Sequence, residues 1–392
     1  MPPRTTASRL ESLSATPYYA GFIVAGMATV LLGAILPVLS ARWALTDLRA
    51  GSLFAAQFAA TALGAILASH FRYRCLVFGY AAVAAGLAAL ALGNYAVAML
   101  AFALLGMGLG SATTATNLTF GTEHRGERGA LLVRVNFFWG IGAVSCPPFV
   151  AVAVRPEMLR PLLLALALGA VAVFAAFTPL LRLKNTSRQE ERRNTGEKPD
   201  LVIFLLFSLL LFLYVGGETS ISGWIATYAH RFGNLSPAHS SLFVSAFWLC
   251  IVAGRGVVPL LVRFITEFTM LISGVIAALL GISILLFPQS AAISLAAVAL
   301  TGLGCAPIFP LAVARLLARI GHSRHAGWIF AVCGSGAAVL PWMTGLLSAH
   351  TGSLRTAFVV PLAAMGGVLL LSLVESTLLF PRSGEHPSVI SC

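Results

Sequence analysis

Apolar residues along this chain gather into twelve long runs separated by short polar joints. The runs span roughly 18–40, 51–70, 75–93, 95–119, 130–154, 161–181, 201–229, 238–262, 268–287, 291–316, 326–349 and 355–378. About twenty residues of α-helix cross the hydrocarbon layer of a bilayer. Inside that layer the backbone must bond to itself, which a helix does within one segment. The pattern predicts an all-α membrane protein with twelve transmembrane helices. One joint is longer than the rest: residues 182–200 read RLKNTSRQEERRNTGEKPD, charge-dense and without an apolar face. It divides the chain into an N-terminal six-helix bundle (1–181), a linker expected on the cytoplasmic side (182–200) and a C-terminal six-helix bundle (201–392).

Composition narrows the class. Of 392 residues, 58% are hydrophobic and only 10% charged, against about 25% charged in soluble domains. So little charge cannot cover a water-soluble globule of this size, which argues against a cytosolic enzyme, a disordered chain or a secreted disulfide domain. The formal charge of +12 sits in the joints, where it reads as a topology signal and gives no reason to expect a nucleic-acid partner. With both termini and the linker on one side, only Arg42, Arg49, Arg155, Arg160, Arg231 and Arg355 of the 25 basic residues fall on the other. The positive-inside rule then places the termini in the cytoplasm, with the chain in a bacterial inner membrane. The polar start leads into an apolar run too long for a cleavable signal, so the first helix is expected to direct insertion. The six cysteines form no CxxC pair and read as packing residues. No cofactor or metal is expected.

The halves repeat. Gly108-Leu-Gly110 in the fourth run recurs as Gly302-Leu-Gly304 in the tenth. Gly140, Gly142, Ala143 and Pro147 in the fifth recur as Gly334, Gly336, Ala337 and Pro341 in the eleventh, all at an offset of 194. Two helices sharing one offset point to duplication, with the bundles related by an axis along the membrane normal. Each chain then holds a whole pathway, and a monomer in contact with membrane lipid is expected.

Nearly all of the 13 acidic residues fall in joints or at run ends, where Asp47 is expected to be solvated and Glu375 to lie near the end of the last helix. Glu218 differs: it lies inside the seventh run, in Tyr214-Val-Gly-Gly-Glu-Thr-Ser-Ile-Ser-Gly-Trp. A carboxylate at membrane depth costs several kcal/mol unless paired, wetted or protonated. Gly216 and Gly217 are expected to weaken the helix there and free backbone groups, and Ser222 and Trp224 add polar edges. Other candidates for a polar cavity are Gln57, Thr113, Asn117 and Asn136, with Trp139, Tyr214, Trp248, Phe309 and Trp328 able to stack on a ligand ring. Arg134 and Arg255 are read as gating contacts near the cytoplasmic ends of their helices. No GxSxG, HExxH or Walker loop occurs, so the chain carries no sequence sign of an enzyme or of an ATP-driven pump.

At these residues the sequence resembles the major facilitator superfamily, and within it the fucose:proton symporter family, on the branch of sodium- or proton-coupled glucose transporters. The stretches are GMGLGSATTATN (106–117), RVNFFWGIGAVSCPP (134–148), YVGGETSISGWIATY (214–228), GLGCAPIFP (302–310) and GWIFAVCGSGAAVLPWMTG (327–345). The resemblance implies alternating access, a sugar substrate and an ion gradient as driving force. The family's fucose transporter has a glutamate four residues before the asparagine matching Asn117, where this chain has Thr113, and an aspartate in a first helix that here has no acid between Tyr18 and Ser40. Glu218 is then the one intramembrane carboxylate left to couple a gradient.

The sequence therefore predicts a secondary active transporter moving a hexose such as glucose or fucose, with proton symport through Glu218. Two alternatives stay open: a sodium-coupled sugar symporter, and a facilitator-type exporter of drugs or other metabolites.

Overall fold

The computed structural model describes residues 16–123, 128–152, 158–182, 201–320 and 326–379. They form α1 (Thr16–Trp43), α2 (Asp47–His70), α3 (Arg72–Leu92), α4 (Tyr95–Glu123), α5 (Arg128–Val152) and α6 (Leu159–Phe177), the last extended by a short 3-10 turn. The second half holds α7 (Leu201–Phe232), α8 (Pro237–Leu261), α9 (Glu267–Leu285), α10 (Ala291–Cys305), α11 (Ile308–Ile320), α12 (Ala326–Thr351), α13 (Leu354–Ala357) and α14 (Val359–Leu379). Among the described residues there is no strand, and twelve helical spans are long and apolar enough to cross a membrane. The tenth and twelfth spans are each assembled from two helices. The predicted linker at 182–200 falls almost wholly outside the described residues, apart from Arg182.

Joints are fixed by local chemistry. Thr46, Ser236, Thr266, Ser290 and Ser353 cap the helices that follow, each hydroxyl accepting a backbone N–H three residues on. The break between α10 and α11 falls at Ala306–Pro307, inside a run the sequence reads as continuous. Pro307 and Pro310 lack the N–H groups that would bond the carbonyls of Leu303 and Ala306, so the helix cannot continue regularly there.

Successive spans alternate in direction. The bundle thus has a linker face, where α6 ends and α7 begins, and a distal face opposite. Within the halves the closest packing joins α2 to α4, α3 to α4, α1 to α5 and α7 to α12. Backbone approach at glycine sets these distances. A Cβ on Gly142 would strike the Ile23 carbonyl of α1, and one on Gly336 would strike the Phe212 carbonyl of α7. The offset of 194 is therefore a structural equivalence in α5 and α12. In α4 and α10 it is not: Gly108 packs on Gly79 of α3 and Gly304 on Gly274 of α9, whereas Gly110 packs on α2 and Gly302 on α8. Matched by partner helix, the register there is 196: Gly108 pairs with Gly304, and Gly106, which packs on Gln57 of α2, pairs with Gly302. The halves meet along α2–α12, α5–α8 and α1 with α7 and α8.

Candidate functional site

A cavity of about 300 Å³ lies between the halves. Its wall includes Thr29, Phe58, Thr61, Thr113, Asn117, Asn136 and Trp139 from one half and Val215, Glu218, Trp248, Arg255 and Phe309 from the other. Glu218 is roughly 25 Å along α7, near mid-membrane, at 1.5 Å per helical residue. Asn117 and Asn136, toward the linker face, are exposed, whereas Trp248 is buried, so the hollow opens toward the linker face.

Glu218 faces this hollow and has two partners. The Tyr214 hydroxyl, one turn earlier on α7, lies 2.7 Å from its Oε1 and 2.9 Å from the Cys305 carbonyl at the end of α10. The Arg255 guanidinium on α8 reaches the same oxygen at 3.4 Å through Nη2. The anion is thus not solitary, as the sequence suggested. Arg255 lies on the cavity wall and about a third of its side chain is exposed. Its Nε is buried without a hydrogen-bond partner.

The helix around Glu218 corrects one expectation. α7 runs unbroken through Gly216 and Gly217. A Cβ on Gly216 would meet the Gly336 carbonyl and Leu340, and one on Gly217 would meet Met365. These glycines admit α12 and α14 close to α7 and leave its backbone bonded. The hydroxyls of Thr219 and Ser220 bond back to the carbonyls of Val215 and Gly216.

Other sequence candidates divide. Thr113, Asn117, Asn136, Trp139, Trp248 and Phe309 line the cavity. Among the described residues the Asn117 carboxamide has no hydrogen-bond partner, while Asn136 donates to the Leu132 carbonyl. Trp139 and Trp248 meet edge to face across the halves, ring centroids 5.0 Å apart. Ser222 is buried behind that wall and orients Trp248 by accepting its indole N–H at 2.8 Å. Gln57 is wholly buried, donating to the Thr29 carbonyl, and Trp224 is wholly buried, donating to the Pro341 carbonyl. Neither these two nor Tyr214 or Ser222 is on the wall. Arg134 is exposed and also off it. The Trp328 side chain lies outside the described residues. Sequence reading missed Thr29, Phe58 and Thr61; a threonine whose hydroxyl bonds its own helix, as in Thr29 and Thr61, gives no signal in an apolar run.

Two further acids are paired, Asp47 against expectation and Glu375 near the end of the last helix, where it was expected. Asp47, read as solvated, accepts two bonds from Arg231 at the end of α7, 2.8 and 2.5 Å, and one from Ser348 of α12 at 2.5 Å. Glu375 is buried and paired with Arg315 of α11, which lies over the Phe268 ring of α9. Among the described residues, Glu218 is therefore one of two buried carboxylates within the spans. The Asp47 cluster spans both halves at the distal face. Nearby, Gly51 of α2 lies against Trp342 and Gly345 of α12, and Ser241 and Ser245 of α8 donate to the Pro147 and Val144 carbonyls of α5.

Known proteins agree with this architecture. "Bypass of stop codon protein 6" of Saccharomyces cerevisiae is 24% identical over 388 residues, covering 84% of this chain and 76% of that protein. "Sodium-dependent glucose transporter 1" of Xenopus laevis is 25% identical over 239 residues, covering 53% of this chain and 48% of that protein. The solved structure of the Escherichia coli fucose:proton symporter superposes with a TM-score of 0.61 at 17% identity, covering 92% of this chain and 98% of that one. The family model of the Major Facilitator Superfamily matches residues 18–327. With twelve membrane spans around a cavity between two halves, the chain belongs to the Major Facilitator Superfamily: it is an integral, multi-pass membrane transporter and not an enzyme.

Proposed function

We propose that this protein is a proton-coupled symporter of a monosaccharide, working by alternating access in a bacterial inner membrane with both termini and the linker cytoplasmic. The observation that carries the reading is Glu218 on the wall of the central cavity, hydrogen-bonded by Tyr214 and within reach of Arg255. Protonation of Glu218 removes the attraction that holds Arg255, so one proton changes both the charge and the hydrogen-bond inventory of the cavity. Differential stabilisation of the two access states follows from that change. A sugar suits the remaining wall: Asn117, Asn136 and Arg255 offer hydrogen bonds to hydroxyls, and Trp139, Trp248 and Phe309 offer apolar faces to ring carbons. The names of the glucose and fucose transporters support the same substrate class.

With the linker face cytoplasmic, the distal seam is the closed outer gate and the cavity opens inward. In this reading Arg255 serves the coupling pair as well as gating, and Arg134 stays a gating candidate on the inner approach. A sodium ion would have to sit beside the Arg255 guanidinium, which favours the proton. The test is uptake of hexoses into proteoliposomes under an imposed pH gradient, wild type against Glu218→Gln. Gradient-driven accumulation is expected in the wild type and lost in the variant. Accumulation that survives the substitution, or that follows a sodium gradient alone, refutes the coupling.

A further inference from the structure

We infer that the transported sugar carries a carboxylate, which binds Arg255 when Glu218 takes up its proton. This rests on the proton-coupled reading above and names its substrate more narrowly.

The argument starts from unmet hydrogen-bond capacity. A guanidinium has five N–H donors in a planar fork suited to two parallel bonds with a carboxylate. Arg255 makes one long contact with Glu218, Nη2 to Oε1 at 3.4 Å, and meets the Tyr214 hydroxyl, while its Nε is buried and unpartnered. The contrast within the same chain is Arg231, whose two terminal nitrogens grip both oxygens of Asp47 at 2.8 and 2.5 Å. Arg255 stands on the wall of a cavity of about 300 Å³, with room in front of it for a second acceptor.

Charge makes the second part of the argument. The titratable groups around Glu218 are Tyr214 on its own helix, Arg255 on α8, and the thiols of Cys305 and Cys333 on α10 and α12. The walls from α1, α2, α4 and α5 supply hydroxyls, amides and apolar groups and no titratable side chain. With Glu218 ionised and Arg255 cationic, the empty cavity is neutral. One proton on Glu218 together with a neutral sugar leaves the arginine charge unbalanced at membrane depth, a costly state during the access change. One proton together with one carboxylate restores neutrality. Binding then exchanges partners: the Glu218 carboxylate becomes a carboxylic acid, the Arg255–Glu218 contact is given up, and the substrate carboxylate takes the guanidinium. Phosphorylated sugars fit less well, since a second negative charge finds no second cation on the wall.

D-glucuronate and D-glucose share a pyranose ring and differ at C6, so they isolate the carboxylate. In proteoliposomes with an imposed pH gradient, D-glucuronate uptake is expected to exceed D-glucose uptake by about a hundredfold or more, because a site built around a polar group rejects the analogue lacking it. Arg255→Gln abolishes D-glucuronate uptake, and Arg255→Lys, which keeps the charge, retains part of it; monodisperse elution of both variants establishes that they fold. Uptake of D-glucuronate with one proton moves no net charge and is expected to be insensitive to a valinomycin-clamped potential. Proton-driven uptake of D-glucose equal to or better than that of D-glucuronate overturns this inference and leaves proton-coupled sugar transport standing. Potential-driven D-glucuronate uptake overturns the one-to-one charge balance on which it rests. Accumulation of neither sugar overturns both readings.

Discussion

The arginine at the distal face and the arginine in the cavity hold their carboxylates in different ways. Arg231 and Asp47 join α7 to α2 across the two halves, with two short bonds and a third from Ser348. Arg255 and Glu218 lie within one half, on adjacent helices, joined by a single long contact beside a cavity. A tight bidentate pair with its acceptors filled suits a clamp that fixes one arrangement of the halves. A loose pair with unused donors suits a site whose partners exchange. The third pair, Arg315 with Glu375, joins α11 to α14 within the same half, over the Phe268 ring of α9, and neither residue lines the central cavity. Burial alone therefore does not mark an acid of that cavity; a place on its wall does.

Substitutions test this contrast. The largest effect is expected at the cavity, where Glu218→Gln removes gradient-driven accumulation while leaving thermal stability within about 1 kcal/mol, because the amide keeps the shape and the Tyr214 bond; uptake assays and thermal melts in detergent check both. Next comes Glu375→Gln, which takes the buried carboxylate out of its pair with Arg315 and destabilises by roughly 3–5 kcal/mol, read as a lowered melting temperature. The opposite outcome at these two positions, melting at Glu218 and loss of coupling at Glu375, would reverse the comparison. Smaller still is Asp47→Asn. The pair is part-exposed, so its loss is worth about 1–2 kcal/mol and shifts the balance between open and closed distal seams about tenfold. Spin labels at Leu48 and Ala349, both exposed, report it as a second, longer distance. The charge swap Asp47→Arg with Arg231→Asp is expected to restore the shorter one. The smallest effect is expected from Trp248→Phe, which forfeits one bond to Ser222 and part of the Trp139 contact, about 1 kcal/mol of ligand affinity, measured by binding-induced thermal shift.

The fold was legible because lipid allows few solutions. Each run long enough to span had to be a helix, and the observed bounds fall close to those read from the pattern, as with 130–154 against Arg128–Val152. The break at Ala306–Pro307 was not legible from hydropathy, since both pieces are apolar, although Pro307 and Pro310 in the sequence carried the signal. Glu218 stood out because a carboxylate in an apolar run is costly. Its partner was hidden: Arg255 is 37 residues away, and periodicity carries no information about which faces of α7 and α8 meet. The same limit hid Arg231 from Asp47, which are 184 residues apart. Gln57 and Trp224 were misplaced for a related reason. Their side-chain N–H groups donate to backbone carbonyls of neighbouring helices, Thr29 and Pro341, and those bonds are visible only in three dimensions.

The phenol of Tyr214 has one hydrogen to give and two oxygens in range to receive it. While Glu218 is ionised, the carboxylate is the stronger acceptor and claims it. Once Glu218 is a carboxylic acid it can donate to the phenol oxygen, and the phenolic hydrogen turns to the Cys305 carbonyl, just ahead of the joint that two prolines have stripped of helical bonds. A proton held on Glu218 would thereby be felt, through rotation of a single O–H, at the break in the tenth span, while the proton itself stays on the carboxyl.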